Sequence, residues 1–180
     1  MRIAATAVAL ALAMLFCAAA ATGGSPLRCA SWSLQAWAGS PGVGTGTIGE
    51  EYGFLDVGGQ TCVIRGYPAV TMLDDSGHPM PTIVRRARAG DPYYGGPAKP
   101  VVLRNGARVW FVVSFADETG YAHARCPTSA RLRLTPPGDG HGVVLSGPQA
   151  RITPYGGTVQ HLDCGIVNVG PVHLYTPTNY

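Results

Sequence analysis

Beyond residue 21 this sequence has no apolar run approaching the roughly 20 residues that a helical bilayer span requires. It also has no sustained 3.6-residue apolar period there, which argues against a helical bundle. Charge is sparse: Asp, Glu, Lys and Arg make up 13% of the 180 residues. With Arg2 set aside, 12 Lys and Arg stand against 10 Asp and Glu. That excess is too slight to argue for nucleic acid or an anionic membrane as a partner. Lys99 is the sole lysine, and such a preference for arginine points to a GC-rich genome rather than to a function. No C-x-x-C pair occurs, although structural zinc sites usually contain one. The G-x-S-x-G elbow of serine hydrolases is missing as well.

What is present begins with a three-part leader. Arg2 is a positive start, residues 3–16 form a short apolar stretch, and Ala18 to Ala21 offer small residues for an A-x-A cleavage site. This predicts a signal peptide over 1–21 and a single domain over 22–180, rather than an uncleaved anchor helix. A lone arginine is not the twin-arginine pattern. Phe16 is too bulky for the residue that usually precedes a lipidated cysteine, so Cys17 is expected to leave with the leader. Four cysteines then remain: Cys29, Cys62, Cys126 and Cys164. An even number in an exported chain reads as disulfides, with three pairings open. Pairing neighbours would close two loops, each worth roughly 3–4 kcal/mol by chain entropy.

The domain reads as short apolar runs separated by turn residues, the pattern of a sandwich or barrel. Tyr52, Phe54 and Asp56 share a face of a strand over 47–57, after a Gly-rich loop over 39–49. Cys62 and Ile64, then Val70 and Met72, alternate inward, and Asp74-Asp75-Ser76-Gly77 is a turn. Residues 83–88 form a further strand whose Arg85, Arg86 and Arg88 suit a solvated edge. Residues 101–103 and 107–115 read as the arms of a hairpin about Asn105-Gly106. Val109, Phe111, Val113 and Phe115 face the core, while Trp110 and Val112 on the other face imply partial cover on both sides. Leu132 and Leu134 alternate with Arg131 and Arg133. Roughly seven to nine strands result, and an antiparallel sandwich is their natural assembly.

A longer signature joins these pieces. Cys29 opens the domain. Gly58-Gly59-Gln60-Thr61-Cys62-Val63-Ile64-Arg65-Gly66-Tyr67-Pro68 precedes an apolar strand and the Asp74 to Gly77 turn. Leu103-Arg104-Asn105-Gly106 and Cys126-Pro127 follow. From about 29 to 171 the chain resembles the domain of unknown function 4232 family, found in exported and cell-envelope proteins of actinobacteria. The resemblance implies a β-sandwich without an assigned activity, and the pairings Cys29–Cys62 and Cys126–Cys164. Two departures, Asp56 for a usual Asn and Asn105 for a usual Pro, keep turn chemistry. In the Gly-Tyr-Pro block, Gly66 permits an unusual backbone angle and Pro68 restricts the next. Tyr67 is expected to bury its ring and bond nearby backbone.

Chemistry-bearing groupings are few. Gly44-Thr45-Gly46-Thr47-Ile48-Gly49 spells G-x-G-x-x-G but precedes a strand instead of opening a helix, so it reads as a loop. Asp117, Glu118 and His123 share one loop and could act as acid and base, although loop groups of this kind are usually only solvated. His161, Asp163 and Cys164, joined by His141 or His173, could suggest a metal. On one strand, however, Cys164 would point away from the other two, and it is also wanted for a disulfide. Tyr93 and Tyr94, in a Gly- and Pro-flanked loop, are the binding candidates, the alternative being that they fold back over the core edge.

The sequence therefore predicts an immunoglobulin-like antiparallel β-sandwich with two disulfides. It predicts no catalytic residue, no metal, no cofactor and no nucleic-acid partner. The expected role is a binding or structural module of the cell envelope or extracellular space, with a protein or glycan partner. A secreted hydrolase with an unfamiliar site, or an inhibitor presenting the 89–99 loop, are the alternative classes.

Overall fold

The structure is a computed structural model that describes residues 26–44, 47–116, 129–146 and 166–176. Cys126, Cys164, Asp117, Glu118, His123, His161, Asp163 and the 1–21 leader lie outside the described residues. Eleven strands are described: β1 (Leu34–Gly44), β2 (Thr47–Asp56), β3 (Cys62–Ile64), β4 (Ala69–Leu73), β5 (Ile83–Arg86), β6 (Val101–Leu103), β7 (Arg108–Ala116), β8 (Arg131–Thr135), β9 (Val143–Ser146), β10 (Ile166–Val169) and β11 (His173–Leu174). The described residues contain no helix long and apolar enough to cross a membrane.

The largest sheet runs β1-β2-β7-β10-β5, with β11 also pairing β7. A second sheet joins β4, β8 and β9, and β3 pairs with β6. Alternation selects the inward faces. Tyr52, Phe54, Val109, Phe111 and Val113 are sealed from one sheet, Val70, Met72, Leu132 and Leu134 from another, and Ile64 and Leu103 from the third. They meet in one core cluster, where each fully buried aliphatic or Phe side chain contributes about 1.5–3 kcal/mol. The Phe54 and Phe111 rings stack at 5.8 Å. Polar groups on this inward side are matched in part, Asp56 Oδ2 being buried without a hydrogen-bond partner. The Tyr52 hydroxyl donates to Glu50 Oε2 at 2.5 Å, and burial raises both groups' pKa values, the nearby Glu50 charge raising Tyr52 further. Asp56 Oδ1 accepts the Gly58 N–H at 2.9 Å.

Four local expectations change. The 39–49 stretch is mostly strand: β1 and β2 pair antiparallel from Leu34–Asp56 to Gly44–Thr47, interrupted by a bulge between Ala38 and Pro41. An edge strand with a bulge tolerates the glycines and the missing Pro41 donor. Asn105-Gly106 does turn the chain, with the Ala107 N–H on the Arg104 carbonyl at 2.7 Å and Gly106 at φ 82°. Its arms nevertheless enter different sheets, β6 against β3 and β7 against β2. The turn is drawn toward β2, because the Gly106 N–H donates to the Asp56 carbonyl and the Asp56 N–H to the Ala107 carbonyl. The assembly is not wholly antiparallel, since β5 pairs with β10 in parallel. Tyr67 is only half-buried. It lies under the Arg86 guanidinium at 5.4 Å and beside the Tyr94 phenol, whose pKa it raises.

Cys29 and Cys62 form a disulfide with an S–S distance of 2.01 Å. The bridge fastens the N-terminal segment beside β3, where the Cys29 N–H reaches the Val63 carbonyl at 3.2 Å and the Val63 N–H reaches the Leu27 carbonyl at 2.7 Å.

Candidate binding surface

The loop carrying Tyr93 and Tyr94 lies across the outward face of the large sheet. The strand register places Trp37, Gly53, Trp110 and His173 in one row across that face. Gly53 is the gap that lets the indole of Trp37 lie flat, since a Cβ there would come within 2.5 Å of the ring. Tyr93, held at φ 60°, lays its ring on Gly49, where an added Cβ would meet it at 2.7 Å. Gly95 sits over His173, 3.1 Å from Nε2 to the position a Cβ would take. Tyr94 is half-buried. Desolvation raises its phenol pKa, and the neighbouring Tyr67 raises it further by charge and hydrogen bonding. Burial lowers the pKa of His173, as does the charge of Lys99. The Nε2 of His173 and the Nε1 of Trp37 are sealed without a hydrogen-bond partner. Tyr93 and Tyr94 are thus brought together with an aromatic cover on the strand face, and both are half-buried.

A different surface forms where the disulfide-fastened segment meets the turn between β8 and β9. After Cys29 the chain makes a single 3₁₀ turn, Ser31–Ser33, closed by the Ser33 N–H on the Ala30 carbonyl at 3.0 Å. Strand alternation with Leu34 and Ala36 would have turned Trp32 inward. The 3₁₀ turn rotates it out, and Trp32 is 74% exposed. Opposite it, Pro136 to Asp139 turn with Gly138 at φ 81°. Asp139 then ties the two segments together. Its Oδ2 accepts the Ser31 N–H at 2.6 Å and its Oδ1 accepts the His141 N–H at 3.0 Å. These backbone donors, Ser31 first, hold its pKa down to about 2, so it is ionised at neutral pH.

Two open grooves flank that tie. One, of about 610 Å³, is lined by Ser31, Trp32, Asp139, His141 and Val143. The other, of about 470 Å³, is lined by Pro26, Arg28, Val63, Arg65, Pro137 and Gly138. The two contacts of salt-bridge length among the described residues join histidine to aspartate, His78 Nδ1 to Asp74 at 3.5 Å and His141 Nδ1 to Asp139 at 3.6 Å. Among the described residues no arginine is paired with a carboxylate. The described residues also hold no group of three or more His, Cys, Asp or Glu side chains placed to share a metal.

Neither Trp32 nor Asp139 stands out in the sequence as a functional residue. The available signal was position: a tryptophan three residues past a bridged cysteine cannot move far from the strand to which that cysteine is bound. A family model described as Domain of unknown function (DUF4232) matches residues 29–173. No curated protein and no solved structure matches the chain.

Proposed function

The chain belongs to the DUF4232 family, whose description names no activity, and on that premise we propose that it is an exported, non-catalytic binding module that holds a saccharide at Trp32. The observation that carries the reading is one large indole, 74% exposed, on the rim of a groove whose other wall presents Asp139 and His141. An aromatic face covers the C–H side of a sugar ring, while a carboxylate and an imidazole bond its hydroxyls. Asp139 is suited to this because backbone donors already hold its carboxylate in place, so little side-chain entropy is lost on binding. Tyr93 and Tyr94 act in this reading as cover for the strand face.

The proposal includes removal of 1–21 and delivery to the extracellular space or cell envelope. It also includes an immunoglobulin-like sandwich over 22–180 with a second bridge, Cys126–Cys164. Even-numbered cysteines in an oxidising compartment support the bridges, and the three-part leader supports the export.

The test is calorimetric titration of the mature chain with cellohexaose, chitohexaose, hexagalacturonate and a phosphomannan. Binding to at least one of these is expected, with W32A abolishing it and W32F retaining part of it. Absence of binding to all four, or binding unchanged in W32A, would overturn the reading. So would hydrolysis of any of them by the mature chain.

A further inference from the structure

The groove on the far side of the Asp139 tie carries the proposal a step further. It is built from the same two segments as the Trp32 groove: Pro26 and Arg28 precede Ser31 and Trp32, and Pro137 and Gly138 precede Asp139 and His141. Arg28 is bridged to Val63, and Arg65 lies two residues further along that extended segment, so Val63 and Arg65 share its outer face. Arg28 and Arg65 therefore line one cavity, between walls supplied by prolines. The Arg28 guanidinium is seated over Gly138, with Nη1 3.0 Å from where a Cβ would stand, so a larger residue at that turn would displace it. Neither arginine has a carboxylate partner among the described residues, where the ion pairs involve histidine. No acidic residue lines this groove. Two exposed arginines lining one cavity, without a carboxylate partner among the described residues, suit carboxylate or phosphate oxygens. Residues 28 to 32 span at most about 14 Å of chain, close enough for one oligosaccharide to reach both grooves.

We infer that the saccharide held at Trp32 is an acidic one, with a carboxylate or phosphodiester group seated between Arg28 and Arg65. This rests on the Trp32 reading and adds a direction to it. Asp139 is negative and stands beside Trp32, so an acidic group gains more at the arginine end than beside Trp32. The anionic unit lies at the arginine end, beyond the tie.

The experiment uses the mature chain with matched probes: hexagalacturonate against its fully methyl-esterified form, and a phosphomannan against its dephosphorylated form. The first pair tests a carboxylate source and the second a phosphate source. At least one acidic probe is expected to bind about tenfold or more tighter than its neutral form, and to weaken as salt is raised. R28Q and R65Q should each cost that acidic probe about tenfold while leaving the neutral form unchanged. R28K and R65K should restore part of the loss, because lysine keeps the charge without the fork. Both positions are exposed, and unchanged melting temperatures of the glutamine variants confirm that the fold is intact.

Equal binding of acid and neutral forms, unaffected by R28Q and R65Q but abolished by W32A, would overturn the acidic assignment and leave the Trp32 reading standing. Binding of the acidic probe that W32A does not touch would overturn the Trp32 reading and this inference together, as would no binding of any probe. Polyglutamate binding as tightly as the acidic saccharide would make the occupant an acidic peptide and overturn the inference.

Discussion

Removing the Cys29–Cys62 bridge should lower the melting temperature far more than it weakens binding at 25 °C. The cysteines are 33 residues apart, and closing a loop of that length restricts the unfolded chain by about 3.7 kcal/mol. For a domain of this size each kcal/mol moves the melting temperature by about 2–4 °C, so the C29A/C62A variant should melt roughly 7–15 °C lower. Both sulfurs are buried, and the small cavity left by alanine adds to the loss. The effect at the site has a different origin. The N-terminal segment keeps its backbone bonds to Val63 and the Ser31 bond to Asp139. Two neutral bonds at about 1 kcal/mol each, and one to a carboxylate at about 1.5–3 kcal/mol, oppose detachment of the segment. Scanning calorimetry and saccharide titration on the same preparation separate the two effects. The double substitution, rather than a reductant, leaves Cys126 and Cys164 as they are. A melting temperature within about 2 °C of the parent would refute the entropic account. A collapse of affinity with little change in melting would refute it differently, by making the bridge a clamp for the groove.

Other expectations are specific to single residues. A Cβ at Gly53 would lie 2.0 Å from the Val109 carbonyl oxygen and 2.5 Å from the Trp37 ring. G53A must therefore part β2 from β7, and should cost about 3 kcal/mol or more in urea unfolding. Asp139 has its pKa lowered from 3.8 to about 2, so its contribution to stability is complete above about pH 4 and is lost as pH falls through 2. D139N should melt below the parent at pH 6, with the gap closing toward pH 2. His173 is also shifted downward, by burial and then by Lys99, so the folded state prefers the neutral imidazole. Stability is full above the unfolded value near 6.5 and falls as pH drops from there toward the folded value. H173F should flatten the melting-temperature profile between pH 7.5 and 5, and an unchanged slope would place that dependence elsewhere.

Where one strand face is buried, the alternation of residues was enough to read it. Val109, Phe111, Val113 and Phe115 point inward as their spacing demands, as do Leu132 and Leu134. Trp110 on the opposite face indicated cover on the outer side, and the Tyr93–Gly95 loop provides it. The turn at Asn105-Gly106 was equally legible, because Gly106 at positive φ is a local matter. The partners of its arms were not legible, because the competing bonds to Asp56 come from a strand far back in the chain. The 39–49 stretch misled for a related reason: glycine disfavours a strand on its own, yet here the long ladder along β2 holds it. The binding surface was the least legible part. Trp32 sits at a parity that predicts burial, and one 3₁₀ turn reverses it.

The sequence by itself determined the β character, the inward residues, the turns and the family, because period-two alternation and turn chemistry act over a few residues. Only the tertiary structure decided that β5 joins β10 in parallel, that Arg28 and Arg65 line one groove, and that Asp139 meets Ser31. These are contacts between segments tens of residues or more apart. Such contacts depend on how sheets stack and on which of several available partners satisfies each backbone group, and no local pattern encodes that competition.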